Sequence, residues 1–182
     1  MFAAFALVLG LVSLSRAGAF PVCEKLVGLK DGLAPADVNG TWAFIAASYR
    51  DRFAMNTLKQ RASITGFFSD NNGTWTYTHA NRYGDHCQYG SYGFTFDGSR
   101  VSFDASIHYT FTGAFLYTTC PDCLVMKWMI NDQLNEMYLL SRRRSLTQSE
   151  LEEFKAQVQC FQMIPPVTMS PSKPLCPEKP GN

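Results

Sequence analysis

Six cysteines and three histidines are the residues with the most reactive side chains in this chain of 182. Cys120-Pro121-Asp122-Cys123 is a C-x-x-C pair. At a helix N-terminus such a pair lowers a thiol pKa and supports thiol–disulfide exchange. Here it falls between two strand-like patterns, so a local structural bridge is the expectation. An even cysteine count in an exported chain suggests three disulfides. Cys23, Cys87, Cys160 and Cys176 allow three pairings among themselves. Cys23 with Cys160 would tie a leading arm to a helix, and Cys87 with Cys176 would fix the tail on an outer wall. His79, His86 and His108 are too scattered for a metal site, and no Ser-His-Asp spacing stands out. Neither enzymatic activity nor any metal or cofactor is therefore expected.

Met1 to Ala19 has an apolar core followed by small residues ending in Ala17-Gly18-Ala19. This is the pattern of a secretory signal peptide, although no Lys or Arg precedes the apolar run. Arg16 interrupts that run before the roughly 20 residues a membrane span requires. No later segment is long and apolar enough to cross, so residues 20–182 are expected as one secreted, extracellular domain with a proline-rich tail. A net charge of +1 offers no surplus for phosphates and argues against nucleic acid. Asn39-Gly40-Thr41 and Asn72-Gly73-Thr74 are N-glycosylation sequons. Asn72, in a turn, is the more accessible of the two.

The elements that must carry these residues are mostly strands. From Gly40, alternate residues Trp42, Phe44, Ala46 and Ser48 would share one face. Asp51 to Leu58 is a connection placed to cross the mouth of a barrel. Lys59 to Ser69 puts Arg61, Ser63 and Thr65 opposite Ala62, Ile64, Gly66 and Phe68. Asn-Gly at 72–73 signals a tight hairpin. Thr74 to Arg82 follows with Trp75, Tyr77 and His79 inward. The segments His86–Phe96, Val101–Ala105, Ile107–Thr118, Cys123–Asn131 and Glu136–Arg142 complete eight strands in succession, an all-β antiparallel up-and-down barrel. Phe20 to Val38 is a leading arm in which Pro35 argues against regular structure. One α-helix from about Ser149 to Cys160 carries Leu151, Phe154, Val158 and Phe161 at helical spacing, an apolar stripe for the barrel wall. Thr147 with Glu150, or Ser149 with Glu152, would cap it.

The G-x-W at Gly40 to Trp42, the Ile-Ala-Ala-Ser after it, Cys87-Gln88-Tyr89, the Asn131-Asp132 turn and the helix LEEFKAQVQC resemble one branch of the lipocalins. It is the branch that holds α1-acid glycoprotein (orosomucoid) and apolipoprotein M. The C-P-x-C at Cys120 is similar to fish members, the saxitoxin- and tetrodotoxin-binding proteins. The resemblance implies an eight-stranded lipocalin barrel, with the pairings Cys23–Cys160 and Cys87–Cys176 beside Cys120–Cys123. It also implies that Arg142 stacks on Trp42 to close the barrel's bottom. Its basic pocket residue falls near Phe103 here, so an anion-binding arginine does not carry over.

Together these readings point to a secreted carrier for a small hydrophobic ligand, neutral or cationic. The expected wall is Phe44, Ile64, Trp75, Tyr77, Tyr92, Phe94, Phe103, Tyr109, Phe111, Phe115 and Trp128, without Arg or Lys. Gln88, His79 and Tyr92 would orient the ligand, and Lys127 would point outward with Cys123. Gly66, Gly90, Ala105 and Gly113 would leave room for a cavity instead of a filled core. Two other classes remain open: a lipocalin-fold isomerase, which requires a free thiol, and an immune-modulating surface glycoprotein. A monomer is expected, with association to lipoproteins or plasma proteins as a further possibility.

Overall fold

The computed structural model describes residues 20–71, 73–103 and 110–179. The leader, Asn72 and Tyr109 lie outside them. Strands β1 (Gly40–Tyr49), β2 (Ser63–Asn71), β3 (Thr74–Tyr83), β4 (His86–Asp97), β5 (Arg100–Phe103), β6 (Phe111–Leu116), β7 (Cys123–Ile130) and β8 (Gln133–Ser141) pair in sequence order. β1 bonds antiparallel to both β8 and β2, which closes the barrel and leaves no exposed edge among these eight. A two-residue β9 (Val167–Thr168) adds to β1 from the tail.

Alternation along β1 breaks partway. The register with β8 shifts between Phe44 and Ala46, a β-bulge. Trp42 and Phe44 face the interior, but beyond the bulge Ala47 and Tyr49 do so, while Ile45 and Ala46 pack outside. Ser48 also departs from the simple alternation, since its hydroxyl donates to Ile164 O in the tail. The extra residue reverses parity, so the expected inward Ala46 and Ser48 are replaced by a tyrosine at the strand's end.

The leading arm is more regular than Pro35 suggested. It contains α1 (Phe20–Leu26) and a one-turn α2 (Pro35–Val38). Proline stands at the first turn of α2, where its missing N–H is not needed. The connection after β1 is α3 (Arg52–Leu58), capped by the Asp51 carboxylate accepting from Ala54 N. Helix α4 (Gln148–Cys160) starts at a reciprocal Thr147/Glu150 capping box. Arg143 bridges Asp122 and Glu150 there and holds the Glu150 carboxyl down to about 2.

Phe154 and Val158 of α4 pack on Ala43, Ile45, Val125, Met137 and Leu139, forming a second core outside the barrel. Gln157 is fully buried on the same helix; its amide donates to Leu26 O and Tyr117 O and so stitches α1 and the end of β6 together. The disulfides are Cys23–Cys160, Cys87–Cys176 and Cys120–Cys123. The second pins the tail across the outside of β2 to β4, where Ser63 donates to Pro174 O and Tyr89 to Pro177 O. Lys127 also lies outside, 5.2 Å above the Phe161 ring.

At the barrel's bottom, Trp42 is 3% exposed and donates from Nε1 to Val38 O at 2.7 Å. The Arg142 guanidinium lies 3.7 Å from the Trp42 ring and donates to Thr41 O and Asn39 O. Gly40 has φ +98°, and a Cβ there would stand 3.0 Å from Arg142 Nη1. The glycine of G-x-W therefore makes room for the arginine as much as for the backbone.

Candidate functional site

Two zones divide the barrel interior. Towards Trp42, Phe68, Phe94, Phe96 and Phe115 pack in edge, tilted and stacked contacts between 5.0 and 6.4 Å and form a ring-filled core. Trp75 joins them, 5.1 Å from Phe96. Towards the mouth, where β1 ends and β2 begins, a cavity of about 740 Å³ opens. That lies within the usual ~300–1,000 Å³ of small-molecule sites.

Its walls are built by strand alternation. β3 contributes Tyr77, His79 and Asn81, and β7 contributes Trp128 and Ile130. β8 contributes Glu136 and Tyr138, while β1 gives Phe44 and, past the bulge, Tyr49. Trp128 stacks on Phe111 at 5.2 Å, touches Phe103 at 4.8 Å, and reaches across to Tyr77 at 6.0 Å. His79 stacks on Tyr92 at 5.7 Å. Helix α3 crosses the mouth and lends Phe53, Ala54 and Thr57. Phe53 is nevertheless 79% exposed, an aromatic ring left at the rim with little to cover it.

A polar chain runs along one side. The Tyr138 hydroxyl donates to the Glu136 carboxylate and meets the Tyr49 hydroxyl at 3.2 Å. Arg61 donates to Tyr49 at 3.4 Å and to Tyr83 at 3.3 Å. Burial raises the Glu136 pKa above the usual carboxylate value, against the hydrogen bond from Tyr138 and the nearby Arg61. Desolvation, reinforced by Arg61, lowers His79, which is therefore neutral at physiological pH. Among the described residues Glu136 has no salt-bridge partner within 4.0 Å.

Of the expected wall, Phe44, Ile64, Tyr77, Tyr92, Phe103, Phe111 and Trp128 line the cavity, and His79 joins them. Phe94 and Phe115 are buried in the solid zone with Trp75 beside them. Gln88 pairs with Asn81 across the sheet but is exposed to solvent. Tyr109 falls outside the described residues. The expectation of a wall without cations is corrected by Arg61, which precedes β2 and so escapes its alternation. The glycines are corrected too. A Cβ on Gly113 would meet the Trp128 ring at 2.5 Å, and one on Gly90 the His79 ring at 2.7 Å, so these positions are filled by their neighbours.

Asn81, Glu136 and Tyr138 were legible by extending the β3 and β8 alternation, since each shares a face with an inward aromatic or aliphatic residue. Tyr49 required the bulge, and Phe53 and Thr57 the helix.

No protein-family model matches this chain, and no curated protein matches it. Among solved structures it is similar to that of Ex-FABP, a siderocalin described as functioning through dual ligand specificities. The TM-score is 0.60 at 16% identity, covering 74% of this chain and 94% of that one. In this chain eight antiparallel up-and-down strands close into a cup, with α4 against the wall near the C-terminus. By its architecture the chain has the lipocalin fold.

Proposed function

We propose that this protein is a secreted carrier that holds a small, largely apolar molecule, neutral or cationic, in the mouth half of its barrel. We further place it in the lipocalin branch of α1-acid glycoprotein and apolipoprotein M. One observation carries the reading: an aromatic cavity of about 740 Å³ with a recessed carboxylate, Glu136, that has no cationic partner among the described residues. Aromatic walls reward an apolar ligand by area, at ~25 cal/mol per Å². Ring faces and the carboxylate together favour a positive charge. Arg61 is the lining cation, but it sits between two tyrosine hydroxyls at the rim. Ligand binding by Ex-FABP and the three disulfides, which suit an oxidising compartment, support a secreted carrier. A thiol-dependent isomerase is disfavoured because all six cysteines are paired.

The test is competition of a fluorescent cavity probe by neutral, cationic and anionic compounds matched in apolar area. The cation and the neutral compound should displace the probe ahead of the anion, and Glu136→Gln should remove the cation's advantage. An anion that bound tightest, and lost that preference in Arg61→Met, would sink the charge assignment.

A further inference from the structure

The cavity holds two opposite charges that do not pair with each other. Arg61 and Glu136 both line it, yet no salt bridge within 4.0 Å joins them. Two phenols connect them instead. Arg61 Nη1 donates to the Tyr49 hydroxyl at 3.4 Å, Tyr49 meets Tyr138 at 3.2 Å, and Tyr138 donates to Glu136 Oε2. Tyr138 has one hydroxyl proton and gives it to Glu136, so Tyr49 is the donor between the two phenols. Three such links place the guanidinium and the carboxylate no more than roughly 10 Å apart. Both retain bonding capacity. Arg61 Nη2 and Glu136 Oε1 have no hydrogen-bond partner among the described residues. Neither is one of the unmet atoms sealed inside the protein, and both residues are partly exposed. A molecule in the cavity can therefore reach them.

The charges occupy one side of the lumen. Arg61, Tyr49, Tyr138 and Glu136 belong to the arc from β8 through β1 to the start of β2. β5 stands four strands from β1 in the eight-stranded circuit. There Phe103 packs 4.9 Å from Phe111 of β6 and 4.8 Å from Trp128, an apolar wall facing the charged one. A lone cation on Glu136 is repelled by Arg61, and a lone anion on Arg61 by Glu136, with little screening in a recessed site. A molecule that carries both charges turns both interactions into attractions. We infer that the carried molecule is amphoteric: an aromatic ring against Phe103, Phe111 and Trp128, with an ammonium group on Glu136 and an acidic group on Arg61. Aromatic amino acids and their relatives are the chemical class, because their two charges lie together at one end of a ring compound. This rests on the carrier reading above and narrows it to a net-neutral ligand with internal charges. An ammonium seated on Glu136 also keeps that carboxyl ionised against the effect of burial.

The experiment uses four compounds on one ring skeleton: tryptophan, tryptamine, indole-3-propionate and 3-ethylindole. Each displaces N-phenyl-1-naphthylamine, a neutral fluorescent probe, from the full protein, from Arg61→Met and from Glu136→Gln, and the results are read as double-mutant cycles. In the wild type tryptophan should bind about tenfold tighter than tryptamine and about tenfold tighter than indole-3-propionate, the worth of one charged hydrogen bond in each case. The advantage over tryptamine should vanish in Arg61→Met, and the advantage over indole-3-propionate in Glu136→Gln. Tryptophan no tighter than tryptamine, or advantages unchanged in the variants, would overturn the amphoteric ligand and leave the carrier standing. Should either variant not fold, the wild type decides through the Glu136 side-chain carboxyl resonance. It should shift with tryptophan and not with 3-ethylindole; an unmoved resonance at saturation rejects the anchor. A probe that enters the barrel but yields to none of the four compounds rejects this inference alone. A probe that does not enter removes the carrier reading and this inference with it.

Discussion

Glu136 is recessed in an aromatic wall, accepts from Tyr138, and has its pKa raised chiefly by burial. The folded protein therefore holds the Glu136 proton more tightly than the unfolded chain does. Stability from this group is present at low pH and falls as pH rises through the ordinary carboxylate range and the raised folded value. Glu136→Gln should raise Tm at pH 7 and give no gain below about pH 4, where the wild type is itself protonated. Equal Tm gains at both pH values would show that the carboxylate's charge is not the cause. A bound cation reverses the sign, because it favours the ionised carboxylate, so cation affinity should drop as the pH falls. His79 acts in the same direction, gaining charge only in acid. Trp42 serves stability instead. It is buried against Arg142 and Val38 at the closed end, far along β1 from Tyr49. Trp42→Ala should cost roughly 3–5 kcal/mol through lost burial and a residual cavity, measured by urea unfolding. A variant as stable as wild type that no longer bound probe would move Trp42 into the binding site.

At the scale of elements, α3 combines two anchors with a loose rim. Met55 and Leu58 are buried and hold it down, with Met55 Sδ accepting from Tyr49 N at 3.1 Å, while Phe53 is free above the cavity. Phe53→Ser should leave stability within about 0.5 kcal/mol, as for an exposed side chain. It should speed probe dissociation severalfold, because the ring can fold over an occupied cavity; unchanged off-rates in stopped flow would reject that role. The sequence disclosed most of the strands because their apolar and polar residues alternate with period two, and α4 because Leu151, Phe154 and Val158 recur with period near four. It disclosed less where that periodicity has no hold. The β1 bulge exchanged Ala46 and Ser48 for Ala47 and Tyr49, and no residue type in NGTWAFIAASYR marks it. Arg61 precedes its strand, so extrapolated alternation put it outside. Gly90 and Gly113 suggest empty space in the sequence because composition does not say which ring leans over a missing Cβ. The division of the interior into a solid and a hollow half was likewise hidden, since Phe94, Phe103 and Phe111 look alike in alternation.

Across the whole molecule, stability and recognition occupy different places. The closed end is filled by rings, the outer wall carries α4 and the tail, and the disulfides join peripheral segments without entering the cavity. The mouth by contrast holds the recessed carboxylate and the exposed ring. Burial of the Glu136 carboxylate opposes folding of the empty protein at neutral pH, so it is a feature a cationic ligand would stabilise. Cys87–Cys176 offers the sharpest separation of the two. It spans 89 residues, and by chain entropy its loss should cost roughly 4–5 kcal/mol. The tail it holds covers Phe67, Ala80 and Tyr89 on the outer face of β2 to β4, behind the wall that carries Tyr77 and His79. With both cysteines replaced by serine, urea unfolding should show that loss of stability. Probe affinity of the still-folded protein should stay within about twofold, because β2–β3 and β3–β4 pairing keeps the inner face in register without the tail. Titrations and unfolding run on the same sample separate the two quantities. A tenfold or greater fall in affinity at unchanged folded fraction would mean that the tail presses on the wall and shapes the cavity from behind, and that the division between a structural shell and a binding mouth does not hold.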